Sequence, residues 1–117
     1  MSMEGDLVAT LKALCPRVFA DVAPAGTTKP YVTWQGIGGE SIYALNNTPI
    51  DKRNTLMQIN VWAADRLQSI TLARNIEAAI AASPAFVAKP VNEPVSVYED
   101  DTELHGAIQR FEIWHAR

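Results

Sequence analysis

Cysteine is all but missing: Cys15 stands alone among 117 residues. No intramolecular disulfide and no cysteine-based metal cage can form, which fits a reducing compartment. Histidine is nearly as scarce. His105, expected in a turn, and His115, near the C-terminus, have no metal-ligand spacing and no cysteine beside them to complete a site. No apolar run approaches the roughly 18 residues that a membrane span needs, and residues 1–6 hold no basic segment leading into an apolar one. The protein is therefore expected to start in the cytoplasm. Clustered positive charge is absent too. Ten Lys and Arg are outnumbered by 13 Asp and Glu, for a net charge of −3, and the basic residues are scattered. A protein whose main task is to grip nucleic acid needs the opposite balance. There is also no internal repeat, no low-complexity tract and no linker that would split the chain.

What is present describes a globular protein. Hydrophobic residues make up 48% and charged ones 20%, and a chain of this length buries roughly two-thirds of its unfolded surface in one core. Residues 1–117 are read as a single domain. Leu7, Val8, Leu11, Leu14 and Cys15 form one apolar stripe of a short amphipathic helix that Pro16 ends. Residues 17–30 read as a loop with a short extended piece at Val18 and Phe19. Tyr31 to Gln35 is β-branched and aromatic, with Pro30 tolerated at its head, and reads as a strand.

Residues 55–63 give the clearest strand. Met57, Ile59, Val61 and Ala63 alternate with Leu56, Gln58, Asn60 and Trp62, so one face is core and the other is half wet or pressed against something else. Asp65 and Gln68 have capping-box spacing, and Leu72, Ala73, Ile76, Ala79 and Ile80 continue as a helical stripe until Ser83-Pro84 stops it. Residues 88–94, with two prolines, read as a crossing. Strands at 95–98 and 107–114 follow, joined by an acidic turn at Glu99, Asp100, Asp101 and Glu103. The expected fold is α+β in the order α-β-β-α-β-β, a mostly antiparallel sheet of about four strands with two helices on one face.

Few residues could carry chemistry. Cys15 lies on an apolar stripe, where a thiol packs and does not react. Gly36-Ile37-Gly38-Gly39 is followed by neither Lys-Ser/Thr nor a helix start, so it is a turn and not a phosphate cradle. The carboxylates of the acidic turn lack the glycine-punctuated spacing of a calcium loop. Tyr31, Trp34, Trp62 and Trp114 have almost no basic residues interleaved with them, as base-stacking surfaces do, and fit core or interface use better. No catalytic, cofactor or metal site is expected, and the chain is read as a non-enzyme. The connection at 36–52 is long for a hairpin and carries Ile42, Tyr43, Leu45 and Ile50, which either fold back onto the core or meet a partner.

Three stretches together resemble the bacteriophage tail completion family: Pro30-Tyr31-Val32-Thr33-Trp34; Gln58-Ile59-Asn60-Val61-Trp62-Ala63 with the capped helix behind it; and Val97 to Thr102 leading into Phe111-Glu112-Ile113-Trp114-His115. Their order and spacing over the length of the chain carry the likeness. The family is also described as tail-to-head joining proteins and is similar in role to the tail terminators of long-tailed phages. The resemblance implies a ring of identical copies, commonly a hexamer, that caps the tail tube and docks to the head connector without catalysis. Its partners would be itself, the tail tube protein and the connector, with DNA only as passing cargo. It would be found in the host cytoplasm during assembly and then in the virion tail. A closed ring needs two unlike patches per copy. Residues 39–49, with Ile42, Tyr43, Leu45 and the adjoining Ile50, are expected to form one, and the Trp62-bearing strand face the other. The acidic turn of Glu99, Asp100, Asp101 and Glu103 is a candidate for the channel wall, where negative charge would keep DNA from sticking.

Two other classes stay open on the residues alone. A small α+β enzyme or ligand-binding module would need a concave site with convergent polar groups. A regulatory nucleic-acid binder would need the fold to gather Arg53, Arg66, Arg74 and Arg110 into one stripe.

Overall fold

The structure is a computed structural model that describes residues 3–39, 41, 43, 45–47, 52–100 and 103–116. The elements are α1 (Met3–Lys12), β1 (Val18–Ala20), β2 (Tyr31–Gly36), β3 (Lys52–Ala63), α2 (Arg66–Ala82), β4 (Val87–Pro90), β5 (Val95–Glu99) and β6 (Leu104–Ala116). The class is α+β, as the periodicities predict. The sheet, however, has six strands and is mixed, not four-stranded and antiparallel. The two extra strands are short edge pieces. The extended residues at Val18 and Phe19 become β1, which pairs in parallel with β2 through Val18↔Val32 and Ala20↔Trp34. The stretch read as a crossing holds β4, antiparallel to the end of β6 through Val87↔Trp114 and Pro90↔Phe111. Pro90 is tolerated because β4 is an edge strand, where a missing N–H costs no ladder bond.

The frame is the β3–β6 pair, matched over the whole length of β3 from Lys52↔Ala116 to Ala63↔His105. At roughly 3.3 Å per residue, this ribbon sets the long dimension of a molecule measuring 52 × 25 × 25 Å. On its far side β6 is shared: β5 covers its first half and β4 its last. β6 begins at Leu104, earlier than expected, so His105 lies on a strand opposite Tyr98 and not in a turn. Their rings stand 4.8 Å apart.

Both helices share one core on one face of the sheet. Leu7, Leu11 and Cys15 from the α1 segment join Ala73, Ile76 and Ile80 of α2 against Val32, Met57, Ile59, Val61, Phe111 and Ile113, all buried. Leu72 packs at the margin of this core, and Ser69 takes a buried place one turn earlier, its hydroxyl donating to the Arg66 carbonyl at 2.8 Å. Leu14 is exposed, because α1 ends at Lys12 and the stripe loses its phase there. The Cys15 thiol is buried 3.5 Å from the Pro30 carbonyl, a packed side chain as its position on the stripe predicts. Gln109 is the one buried polar side chain of β6. Its amide donates to Glu77 on α2 and, at 2.8 Å, to the Asn92 carbonyl, tying the helix to the β4–β5 connection.

The start of α2 follows the spacing of Asp65 and Gln68. The Asp65 carboxylate accepts from the Gln68 N–H at 2.8 Å, and the Gln68 side chain returns toward the Ala64 N–H at 3.4 Å. Asp65→Ala is expected to cost about 1 kcal/mol by leaving an N-terminal amide unsatisfied, read as a lowered urea midpoint at unchanged slope.

Candidate assembly surface

Strand alternation sends every second side chain of the sheet away from the helices. On β2 and β3 these are Tyr31, Thr33, Asn54, Leu56, Gln58, Asn60 and Trp62, the second face read from the sequence. Across the ribbon, Asn60 stands opposite Ile108 and Trp62 opposite Gly106. Among the described residues no helix covers this face.

At one end the open face is built into a cup of about 220 Å³, lined by Tyr31, Thr33, Asn60, Trp62, Glu99 and the residues just after β1, Asp21 to Ala23. Three local features shape it. The first is Gly106, where a Cβ would stand 2.6 Å from Cζ3 of Trp62 and 2.8 Å from a methyl of Val97. The absence of a side chain there lets the indole lie directly on the β6 backbone. The second is a polar ladder. Gln58 donates to the Asn60 side-chain oxygen at 3.0 Å, and Asn60 donates to the Thr33 hydroxyl at 3.1 Å. Thr33 and Asn60 are only 4% and 8% exposed although they point away from the core, so the neighbouring side chains already seal the floor of the cup. The third is Asp21, whose N–H donates to the Trp34 carbonyl at 2.8 Å and whose φ of 62° turns the chain over the end of the sheet. Aspartate is one of the few residues that adopts this left-handed conformation readily.

The cup is electronegative. Burial raises the pKa of the Tyr31 phenol above its ordinary value, and the nearby Glu99 carboxylate raises it further, since each disfavours a phenolate there.

The other expected interface residues divide. Tyr43 and Leu45 are exposed and do not fold back onto the core, while Ile42 and Ile50 lie outside the described residues. Where this connection leaves β2 it stays pinned to β3, with Ile37 N–H donating to the Leu56 carbonyl at 2.9 Å and Leu56 N–H to the Gly38 carbonyl at 3.0 Å. Gly39, at φ +130°, passes so close to β3 that a Cβ would stand 2.3 Å from the Asn54 carbonyl oxygen, so only glycine fits. In the acidic turn Glu99 closes β5, Asp100 and Glu103 are exposed, and Asp101 lies outside the described residues. Trp62 is half-buried in the cup, Trp34 packs at the core margin, and Trp114 lies on the open face opposite Asn54. The four arginines are not gathered: Arg66 and Arg74 lie on the exposed side of α2, Arg110 shares the open face with Gln58, and Arg53 sits near the far end of β3. Among the described residues no group of three or more His, Cys, Asp or Glu is placed to hold a metal.

Sequence reasoning reached Trp62 and Glu99 but missed Thr33, Gly106 and Asp21. An isolated glycine inside a strand pattern signals close approach, and Gly106 was legible on that ground. Asp21 and Thr33 left no such signal.

Residues 6–116 match the family model described as tail completion protein gp17. The chain belongs to this tail completion family. The match takes in α1 from Asp6 onward, α2 and all six strands, so the open face, the cup and the pinned connection all lie within the family domain. As a tail completion protein, the chain is a structural component of a bacteriophage tail. No curated protein matches it.

Proposed function

We propose that this tail completion protein works as a closed ring of identical copies, a hexamer in the family's usual manner, that caps the tail tube and joins it to the head connector. It acts by binding and not by catalysis. Assembly takes place in the host cytoplasm, and the tail tube protein and the connector are its partners above and below. The observation that carries this reading is the uncovered sheet face bearing Tyr31, Trp62 and Trp114, in a chain matched to the family over residues 6–116. Aromatic side chains on an uncovered strand face are costly in a lone molecule and stabilising in an interface. The exposed Tyr43 and Leu45 give a second apolar patch, and two unlike patches are what a head-to-tail ring requires. The exposed Asp100 and Glu103, at the end of the ribbon, suit a channel wall that DNA passes without sticking, because like charges repel.

Mass measurement and negative-stain imaging, with and without purified tail tubes, test this reading. Rings on tube ends are expected. Replacing Tyr43 and Leu45 together by Asp is expected to leave a folded monomer, with unchanged circular dichroism, that no longer forms them. Intact rings in that variant would remove the connection from the interface, and a wild-type protein that stays monomeric on tube ends would remove the ring.

A further inference from the structure

Resting on the ring reading, we propose that neighbouring copies join edge to edge, β5 of one pairing antiparallel with β1 of the next, so that one sheet runs on from copy to copy. Hydrogen bonds already made within the chain decide which backbone groups of these two strands point outward. The Val91 N–H donates to the Arg110 carbonyl at 2.8 Å, so the even-numbered residues of β6 turn their N–H and C=O groups toward the β4–β5 flank. In the antiparallel ladder Val95, Val97 and Glu99 are then the β5 residues that bond to Ile108, Gly106 and Leu104. Ser96 and Tyr98, lying between them, aim their backbone groups away from the sheet. At the opposite edge the Val32 N–H donates to the Arg17 carbonyl and the Asp21 N–H to the Trp34 carbonyl. By the same alternation Val18 and Ala20 point outward from β1. Among the described residues only one of these outward groups has a backbone partner, the Ala20 carbonyl, which accepts from the Val22 N–H at 2.7 Å.

The two edges fit each other. Val18 and Ser96 stand at opposite ends of one row across the sheet, through Val32, Val61 and Ala107. β1 runs with β2 and β6 and against β3 and β5. A second copy displaced along this row in the same orientation therefore lays its β1 antiparallel beside β5, with the helices of both copies on one side. Setting Ser96 opposite Ala20 and Tyr98 opposite Val18 engages the outward groups of both strands. The same register places Val97 across from Phe19 on the open face, a β-branched and aromatic pair of the kind that stabilises neighbouring strands. A strand edge that stays solitary is usually guarded by lysine, proline or a bulge. β4, on the same flank of β6, carries Lys89 and Pro90. β5 has neither lysine nor proline, and it exposes Val95 and Tyr98. Two unlike edges at one level of the sheet suit a head-to-tail contact that repeats, whereas a two-fold dimer sets one edge against itself.

Cross-linking of the full chain on purified tail tubes tests the pairing, with Ala20→Cys and Ser96→Cys in one chain. Both positions are exposed, and Cys15 is buried. Residues opposed in a hydrogen-bonded antiparallel pair stand about 5.5 Å apart at Cα, a separation that a disulfide spans. After oxidation, non-reducing electrophoresis is expected to show a ladder of linked chains that stops at the ring number, while each single variant runs as one chain. Ser96→Pro supplies a second readout. The Ser96 N–H points outward, so the β5–β6 ladder keeps its bonds and circular dichroism is expected to stay unchanged. Ring formation is expected to weaken roughly tenfold or more, because the pyrrolidine removes a donor and blocks the incoming strand. Dimers from either single cysteine variant, rings that form without links in the double variant, or unchanged rings in folded Ser96→Pro would overturn the edge pairing and leave the ring reading standing. A wild-type protein that forms no rings on tube ends would overturn both.

Discussion

Phe111→Ala is expected to destabilise the domain by about 3–5 kcal/mol, the range for removing a phenylalanine from a packed core. Phe111 is the largest of the fully buried side chains, 1% exposed. Its position makes the loss hard to absorb. It stands opposite Met57 on β3 and opposite Pro90 on β4, with partner strands on both sides that hold the backbone in register. The sheet cannot close over the vacancy without breaking one of those ladders, so most of the cavity would persist. Against a typical total of about 5–15 kcal/mol, the variant would lie near the limit of folding. The measurement is a urea titration, with a lower midpoint at unchanged slope. Leu67→Ala, at an exposed site on α2, serves as the control and is expected to shift stability by no more than about 0.5 kcal/mol. A small loss for Phe111→Ala would mean that β6 does not carry the core.

The long elements were readable because each repeats a burial pattern many times. β3 alternates through Met57, Ile59, Val61 and Ala63, and α2 returns at Ala73, Ile76 and Ile80. Period 2 and period 3.6 accumulate over such lengths until one assignment prevails. β1 has three residues and β4 four, too few for any period to register. Both exist because a neighbouring strand offers an open ladder, an effect of tertiary pairing that local pattern does not contain. The same limit explains why the parallel β1–β2 pair, and with it the mixed sheet, was not foreseen. The cup was half legible. Trp62 lies on a face that alternation predicts, but the cup also needs Asp21, Thr33 and Glu99, which are far apart in sequence and meet only because β1, β2, β3 and β5 converge at one end of the sheet. Tyr43 and Leu45 are exposed on the 36–52 connection, an outcome that composition left open. Apolar residues in a loop fit both outcomes equally.

Gly106→Ala is the substitution that separates the open face from the core. The new methyl would stand 2.6 Å from one carbon of the Trp62 ring, 2.8 Å from another and 2.8 Å from a Val97 methyl, closer than van der Waals contact allows. Two of these neighbours belong to a rigid indole and the third to a β-branched side chain with little rotamer freedom, so the contact cannot be relieved by bending a flexible tip. Either the β3–β6 ladder shifts or Trp62 swings off the sheet. The ladder is paired along the whole length of β3, which makes it the stiffer of the two, and the indole is expected to move. Overpacking of this kind costs about 1–3 kcal/mol. A methyl on a strand is otherwise favourable relative to glycine, which places the expected loss toward the lower part of that range. The telling readout is spectroscopic. Trp62 fluorescence, isolated in a background with Trp34 and Trp114 replaced by Phe, is expected to shift to longer wavelength as the ring enters water, while far-ultraviolet circular dichroism stays unchanged. Because the displaced indole also disrupts the open face, the same variant is expected to lose ring formation on tail tubes while remaining folded. A variant with an unshifted Trp62 spectrum would place the indole away from Gly106. One with a shifted spectrum and intact rings would show that assembly does not use this end of the open face.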